Sequence, residues 1–445
     1  MDELLRTCDE AVAMALRAGV DEAEAFAVTS REVNAELQKN DIQVAKSMAG
    51  LGLGVRVFRA GSLGFSSVNS FGDDEVREAV ERAVAISKAA PADEHAGLPE
   101  PAEVTPVEGI YDTAMESYGV EHAVDAALAM LREARGFDER VTVDGGGVEA
   151  AYGSRAIVNS HGVRQSERSS VALCYIMGMA RDGDVISSFD YQFDNSHKAD
   201  GIDPGKVARE FAEKVVGSLG AVAGDSFKGT VVLAPKATAE IIVHPIEYSV
   251  LASSVQKGTS RFAEKLGEVV AGDVITVTDD SRLENGFSTL SFDREGLPPT
   301  VLPLIENGVL GNLLYDSYTA RREGRASTGH AGGGASSVPS VSATNIVVAG
   351  GDTSLNDLIA GIDRGVLVSR FSGNTEPASG DFSGVVKGGH MIRGGKLAEP
   401  LSGTLIAGNI FDLLPTVRAV SSETERLFNV VAPYVRVDGV TVTSG

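Results

Sequence analysis

The sequence predicts an α+β protein: an N-terminal domain of strand–helix units over 1–225, and a C-terminal domain over 226–445 formed by a mostly antiparallel β-sheet or barrel with a buried helix. Three observations predict it. The chain has 445 residues, more than one core usually holds. In the first half, apolar spacing switches repeatedly between strand alternation and helical periodicity. From Phe227 onward, short apolar runs are punctuated by Gly, Asp and Asn turns, with one helical stretch that is apolar nearly all round.

Taken in order, Leu4, Leu5, Cys8, Val12 and Leu16 recur at helical spacing over 2–19, and Gly19 stops that helix. Strands are predicted at 24–37, 42–47, 51–58 and 63–68, then a helix at 73–88. Residues 89–107, rich in Pro, Ala and acids, read as an exposed connector. A helix at 118–134 follows. Strands come next at 140–144, 148–152, 154–159, 163–169, 171–180 and 185–189, and a helix at 204–219 closes the half. Blocks 25–90 and 148–219 share one plan, which suggests a duplicated unit. Residues 229–234 form a strand, and Pro235 suits a helix start. The helix over 236–256 carries Ile241, Ile242, Val243, Ile246, Val250, Leu251 and Val255, so it is buried. Pro245 within it removes a backbone donor and predicts a kink costing about 3 kcal/mol.

The stretch 292–334 holds the most specific signals. Phe292-Asp293-Arg294-Glu295-Gly296 is an acidic turn, and Asn307-Gly308 between apolar runs marks a hairpin. Asp316-Ser317-Tyr318-Thr319-Ala320-Arg321 precedes the glycine-rich loop Ser327-Thr328-Gly329-His330-Ala331-Gly332-Gly333. With Ser379-Gly380-Asp381-Phe382-Ser383 and Ile406-Ala407-Gly408-Asn409 downstream, this order and spacing resembles the TldD/PmbA family. The Ser-Thr-Gly-His-Ala-Gly-Gly form is more similar to its PmbA (TldE) branch.

That resemblance implies a metallopeptidase made of two unlike subunits, with zinc on the TldD-like one, cutting unstructured peptides in an internal chamber. In the TldD branch one helix carries His-Glu-x-x-x-His, two ligands and a general base. Anchored on Lys257-Gly258-Thr259-Ser260, the matching positions here are Val243, His244 and Tyr248, and 420–445 lacks the cysteine that supplies the third ligand. The resemblance therefore implies a chain without its own metal or other cofactor, paired with a TldD-like subunit in a heterodimer. A homodimer stays open where the partner is missing. His244 and Glu247 lie at i and i+3, too few for a zinc site.

Candidate peptide-binding residues are Ser317, Tyr318, Arg321, Thr328, His330 and Asp381. His330 reads as loop structure, as a peptide or partner contact, or as a catalytic base lacking an orienting acid in the local sequence. Arg321 suits either a peptide carboxylate or an internal salt bridge. Asp381 suits a turn. No catalytic residue is assigned.

Composition excludes several classes. The formal net charge is −23, from 62 acidic and 39 basic residues, which repels a phosphate backbone and argues against nucleic acid. No apolar run is long enough to span a membrane, and no basic-then-apolar leader opens the sequence. Two cysteines, Cys8 and Cys174, argue for a reducing cytoplasm. A protein-binding regulator of the DNA gyrase modulator kind, and a stand-alone hydrolase centred on His330, remain as alternatives.

Overall fold

A computed structural model describes all 445 residues. Two sheets organise the chain. The first has seven strands in the order β3-β2-β1-β4-β5, with β6 and β7 both paired to β5. Its strands are β1 (Glu22–Gln38), β2 (Asp41–Arg59), β3 (Ser62–Val68), β4 (Val141–Asn159), β5 (Arg164–Asp182), β6 (Val185–Ile186) and β7 (Asp190–Ser196). Every pairing within it is antiparallel. Helices α1 (Asp2–Arg17) and α2 (Asp73–Ala89) flank β1–β3, and α3 (Val120–Phe137) and α4 (Pro204–Gly217) flank β4–β7. Two sets of helix, three main strands and helix are joined along the β1–β4 seam.

All four helices lie on one face. Ala23, Ala25 and Ala27 of β1 pack with α1 and α2, while Val33, Ala35 and Leu37 pack with α3 and α4. These are odd positions of one strand, hence one side of the pleat. The even positions face the other way, and Phe26 meets Phe292 and Ala335 of the C-terminal half.

The strands are longer than the sequence predicts. Three predicted strands merge into β4, two into β2 and two into β5. The triple glycine 145–147 reads as a break, but it continues the β4 ladder with only a bulge beside Gly145. Glycine serves close approach there: a Cβ on Gly147 would lie 2.8 Å from the Ala35 carbonyl. Residues 187–189, predicted as strand, leave the ladder after Ile186. The connector also departs from expectation, because Gly97, Leu98 and Pro99 are buried instead of exposed.

The second sheet has thirteen strands, beginning at β8 (Phe227–Leu233) and ending with Val430–Thr443. It is not closed, so the barrel alternative is overturned. Two of its pairings are parallel, β8 with Arg364–Val368 and Ile346–Val348 with Val430–Thr443. The buried helix is present but segmented. It runs as α5 (Pro235–Thr238), a π turn (Ala239–Val243), α6 (His244–Val250) and α7 (Ala252–Gln256). Pro245 is absorbed by that π turn, where the His244 N–H reaches back to the Ala239 carbonyl. Leu251 breaks the helix because its extended backbone bridges to Leu314. Ile241, Ile242, Val243, Ile246 and Val250 enter the main core. β9 (Val277–Asp279), β10 (Leu302–Glu306) and β11 (Val309–Leu310) lie at one end of this sheet. Asn307 and Gly308 both take positive φ between β10 and β11, as the hairpin signal requires.

Candidate functional site

The acidic turn at 292–297 is built around one carboxylate. Asp293 accepts the N–H groups of Glu295, Leu297 and Ala331 at 2.8, 2.9 and 3.0 Å. Burial and the neighbouring Glu295 push its carboxyl up to about 7. Gly296 adopts φ +81°, and a Cβ there would lie 2.4 Å from Val163, so only glycine fits.

The turn drives two charged side chains into the even face of the first sheet. Glu24 and Arg56 sit opposite each other on β1 and β2. Arg56 donates to Glu24 at 2.6 Å and to Glu295 at 3.1 Å, and Arg294 donates to Glu24 at 3.0 Å. Glu24 is 0% exposed, and all four groups are buried. Glu295 also accepts the Ser317 N–H at 2.9 Å. The acidic turn and the Asp-Ser-Tyr-x-Ala-Arg segment are thereby joined. That segment forms α8 (Ser317–Arg322), capped by Asp316.

Beside this network lies a cavity of about 720 Å³ between the two halves. Arg56, Phe58 and Leu63 form one wall, Glu295, Asp316 and Tyr318 another, and connector residues 90–97 a third. Tyr318 donates to Asp93 at 2.8 Å. Arg321 donates to the carbonyls of His95, Gly97 and Leu98 at 2.8, 2.6 and 3.4 Å. Arg321 therefore forms no internal salt bridge. Its guanidinium pins the connector, whose bent backbone leaves carbonyls to be satisfied.

The other candidates fall elsewhere. His330 is 1% exposed. Its Nδ1 lies 2.9 Å from Thr328 Oγ1 and its Nε2 3.4 Å from Asp279 Oδ1. The nearest acid, Asp279 on β9, lies outside the local sequence, and Nε2 makes no hydrogen bond to it. A hydroxyl, an imidazole and a carboxylate in this order resemble a hydrolytic triad. Here, however, Thr328 Oγ1 is already held by the Tyr315 carbonyl at 3.1 Å and the Tyr315 N–H at 2.9 Å, and the imidazole is sealed. The set works as a pin between the loop and the sheet. Asp381 is apart from this group and is bonded to Asn409 and Ser379. Ser317 contributes its backbone N–H, while its hydroxyl has no partner.

Along the helix that would carry a metal motif, Val243 is fully buried in the core, His244 is exposed and Tyr248 donates to Thr259 at 2.8 Å. Burial raises the Glu247 carboxyl, with Asp279 adding to the effect. No three His, Cys, Asp or Glu side chains converge to hold a metal ion.

Sequence reading missed Glu24, Arg56, Asp93 and Asp316. A partial signal was present for the first pair: Glu24 and Arg56 lie within the apolar stretches of two strands, on the side of the pleat away from the helices.

Two sheets, a segmented buried helix and interlocked motif turns make up one scaffold. Residues 23–87, 115–219 and 226–444 match domain 1, the central domain and the C-terminal domain of the PmbA/TldA metallopeptidases. The chain belongs to the PmbA/TldD family, in its PmbA (TldE)-like branch. It is 25% identical to the metalloprotease PmbA of Escherichia coli O157:H7, over 95% of this chain and 93% of that one. An uncharacterized Methanocaldococcus jannaschii protein is 28% identical over 88% of this chain and 89% of its own length. The crystal structure of TldE from Thermococcus kodakarensis superposes with a TM-score of 0.91 at 25% identity, covering 98% of this chain and 99% of that one.

Proposed function

We propose that this chain is the metal-free, PmbA/TldE-like subunit of a two-subunit metallopeptidase that degrades unstructured peptides in the cytoplasm. A TldD-like partner would supply the zinc and the general base. The observation that carries this reading is the helix at 243–248. Its candidate ligand position Val243 is core, its candidate base position is the exposed His244, and Tyr248 is tied to Thr259. A peptidase needs an activated water and a stabilised oxyanion, and this helix offers groups for neither. Other features support the reading: no helix is long and apolar enough to cross a membrane, and both cysteines are free and buried. The role left to this chain is to complete a chamber and hold extended peptide.

A mixing assay tests it. The chain alone should not cleave an unstructured fluorogenic peptide and should retain no stoichiometric zinc after dialysis. Addition of a TldD-like chain should switch on chelator-sensitive cleavage. Turnover by this chain alone, or activity of the mixture indifferent to it, would refute the partner reading.

A further inference from the structure

The cavity beside α8 is left unexplained by a partner role. We propose that it binds a primary ammonium carried on an apolar body, the chemistry shared by a peptide's amino terminus and a free amine. The peptide arm deepens the peptide-holding reading above and rests on it; the ammonium chemistry stands on the cavity alone.

The walls set the class of ligand. At about 720 Å³ the cavity has the size of small-molecule sites, and it lies between two packed halves, where such sites concentrate. Phe58, Leu63, Val338 and Pro339 supply an apolar lining. Four acids, Asp93, Glu94, Glu295 and Asp316, face two arginines, Arg56 and Arg321. Most of these charges are committed. Asp93 takes the Tyr318 hydroxyl and the His95 N–H. Glu295 takes Arg56 and the Ser317 N–H, and Arg321 is spent on the connector.

Asp316 is not fully committed. It is 4% exposed, and its Oδ1 receives both the N–H and the hydroxyl of Thr319 at 2.8 and 2.6 Å. No donor meets its Oδ2. Burial raises its carboxyl above the ordinary range, a strain that an incoming cation relieves. Arg56 lines the same space, but its unpartnered Nε–H is buried beyond a ligand's reach, and its other nitrogens are held by Glu24 and Glu295. An ammonium entering the cavity would answer the free Oδ2 of Asp316. A carboxylate ligand would meet the acidic excess instead, and a neutral donor would leave the charge of Asp316 uncompensated.

Calorimetric titration of the purified chain, without any partner, tests this. The probes are phenethylamine, 3-phenylpropionate and phenethyl alcohol, then leucyl-phenylalanine amide with and without N-acetylation. The amine and the free dipeptide amide should bind, and acetylation should abolish binding. Asp316→Asn keeps the cap on α8, since Asn caps as well as Asp, and should weaken amine binding by about 10-fold to 100-fold. Val338→Trp, at the exposed rim, should block every probe while the circular dichroism spectrum is retained. Binding of phenethylamine without the dipeptide amide supports the ammonium site and assigns it to small amines. Preference for the carboxylate, equal binding of the alcohol, indifference to Asp316→Asn, or no binding at all would overturn the proposal. None of these outcomes bears on the mixing assay, which reads cleavage and needs the partner.

Discussion

Glu24→Gln should be among the most damaging single changes outside the aliphatic core. Glu24 is fully buried and receives Arg56 at 2.6 Å and Arg294 at 3.0 Å. Glutamine preserves the volume but removes the charge, leaving two buried guanidiniums with Glu295 as their one anion. Breaking a buried ion pair by removing one partner costs roughly 3–5 kcal/mol, because the remaining charge stays dry and uncompensated. Unfolding entropy of about 2.1 cal/mol/K per residue over 445 residues converts ~4 kcal/mol into a Tm shift of roughly 4 °C. Arg294→Met removes one surplus cation, so the double variant should recover much of the loss. Urea unfolding followed by circular dichroism, run as a double-mutant cycle, should give a coupling of about 2 kcal/mol or more. A loss below about 1 kcal/mol for Glu24→Gln, or a double variant equal to the sum of the singles, would refute the assignment of the network as the clasp between the halves.

Arg321→Lys keeps the charge but loses the fork that holds three carbonyls. Amide hydrogen exchange should accelerate across 93–98, including the Leu98 N–H bonded to Glu22, and unchanged protection there would contradict the pin. Burial pushes the Glu240 carboxyl up to about 7, although Arg370 and Lys236 oppose the shift. The folded chain therefore keeps a proton that the unfolded chain releases near its usual value of 4.5, so stability should fall as pH rises from about 4.5 to about 7. Glu240→Gln should flatten that slope in urea midpoints measured across the window; a slope identical to the parent's would remove Glu240 as its source.

Much of this architecture is legible in the sequence, for identifiable reasons. Periodicity finds α1 to α4 because each buries one stripe, and the Asn307-Gly308 turn is recognisable because its positive φ values admit few residue types. Strand lengths are misread where glycine means close approach to a neighbouring backbone, as at Gly147, and not a turn. The fate of Leu251 is set by Leu314, a partner that helical spacing cannot reveal. The site divides in the same way. The motif turns at 292–297 and 316–321 are visible as text, yet their meeting through Glu295 and the Ser317 N–H is a tertiary event. Asp279 stands 51 residues before His330 and becomes its neighbour only through β9. Arg321 invites an ionic partner by its chemistry and finds neutral carbonyls, because the proline-rich connector has backbone acceptors without a ladder.

The charged clasp also sets an order of events during synthesis. Glu24 and Arg56 can meet as soon as β1 and β2 pair, but Glu295 follows Arg56 by 239 residues. At roughly 5–20 residues per second, the ribosome delivers it about 12–48 s later. Through that interval the outer side of the nascent sheet carries a hydrated ion pair beside Phe26. A wet charge there discourages the half-made sheet from adhering to another chain, and it gives up its water only when the turn from the second half arrives.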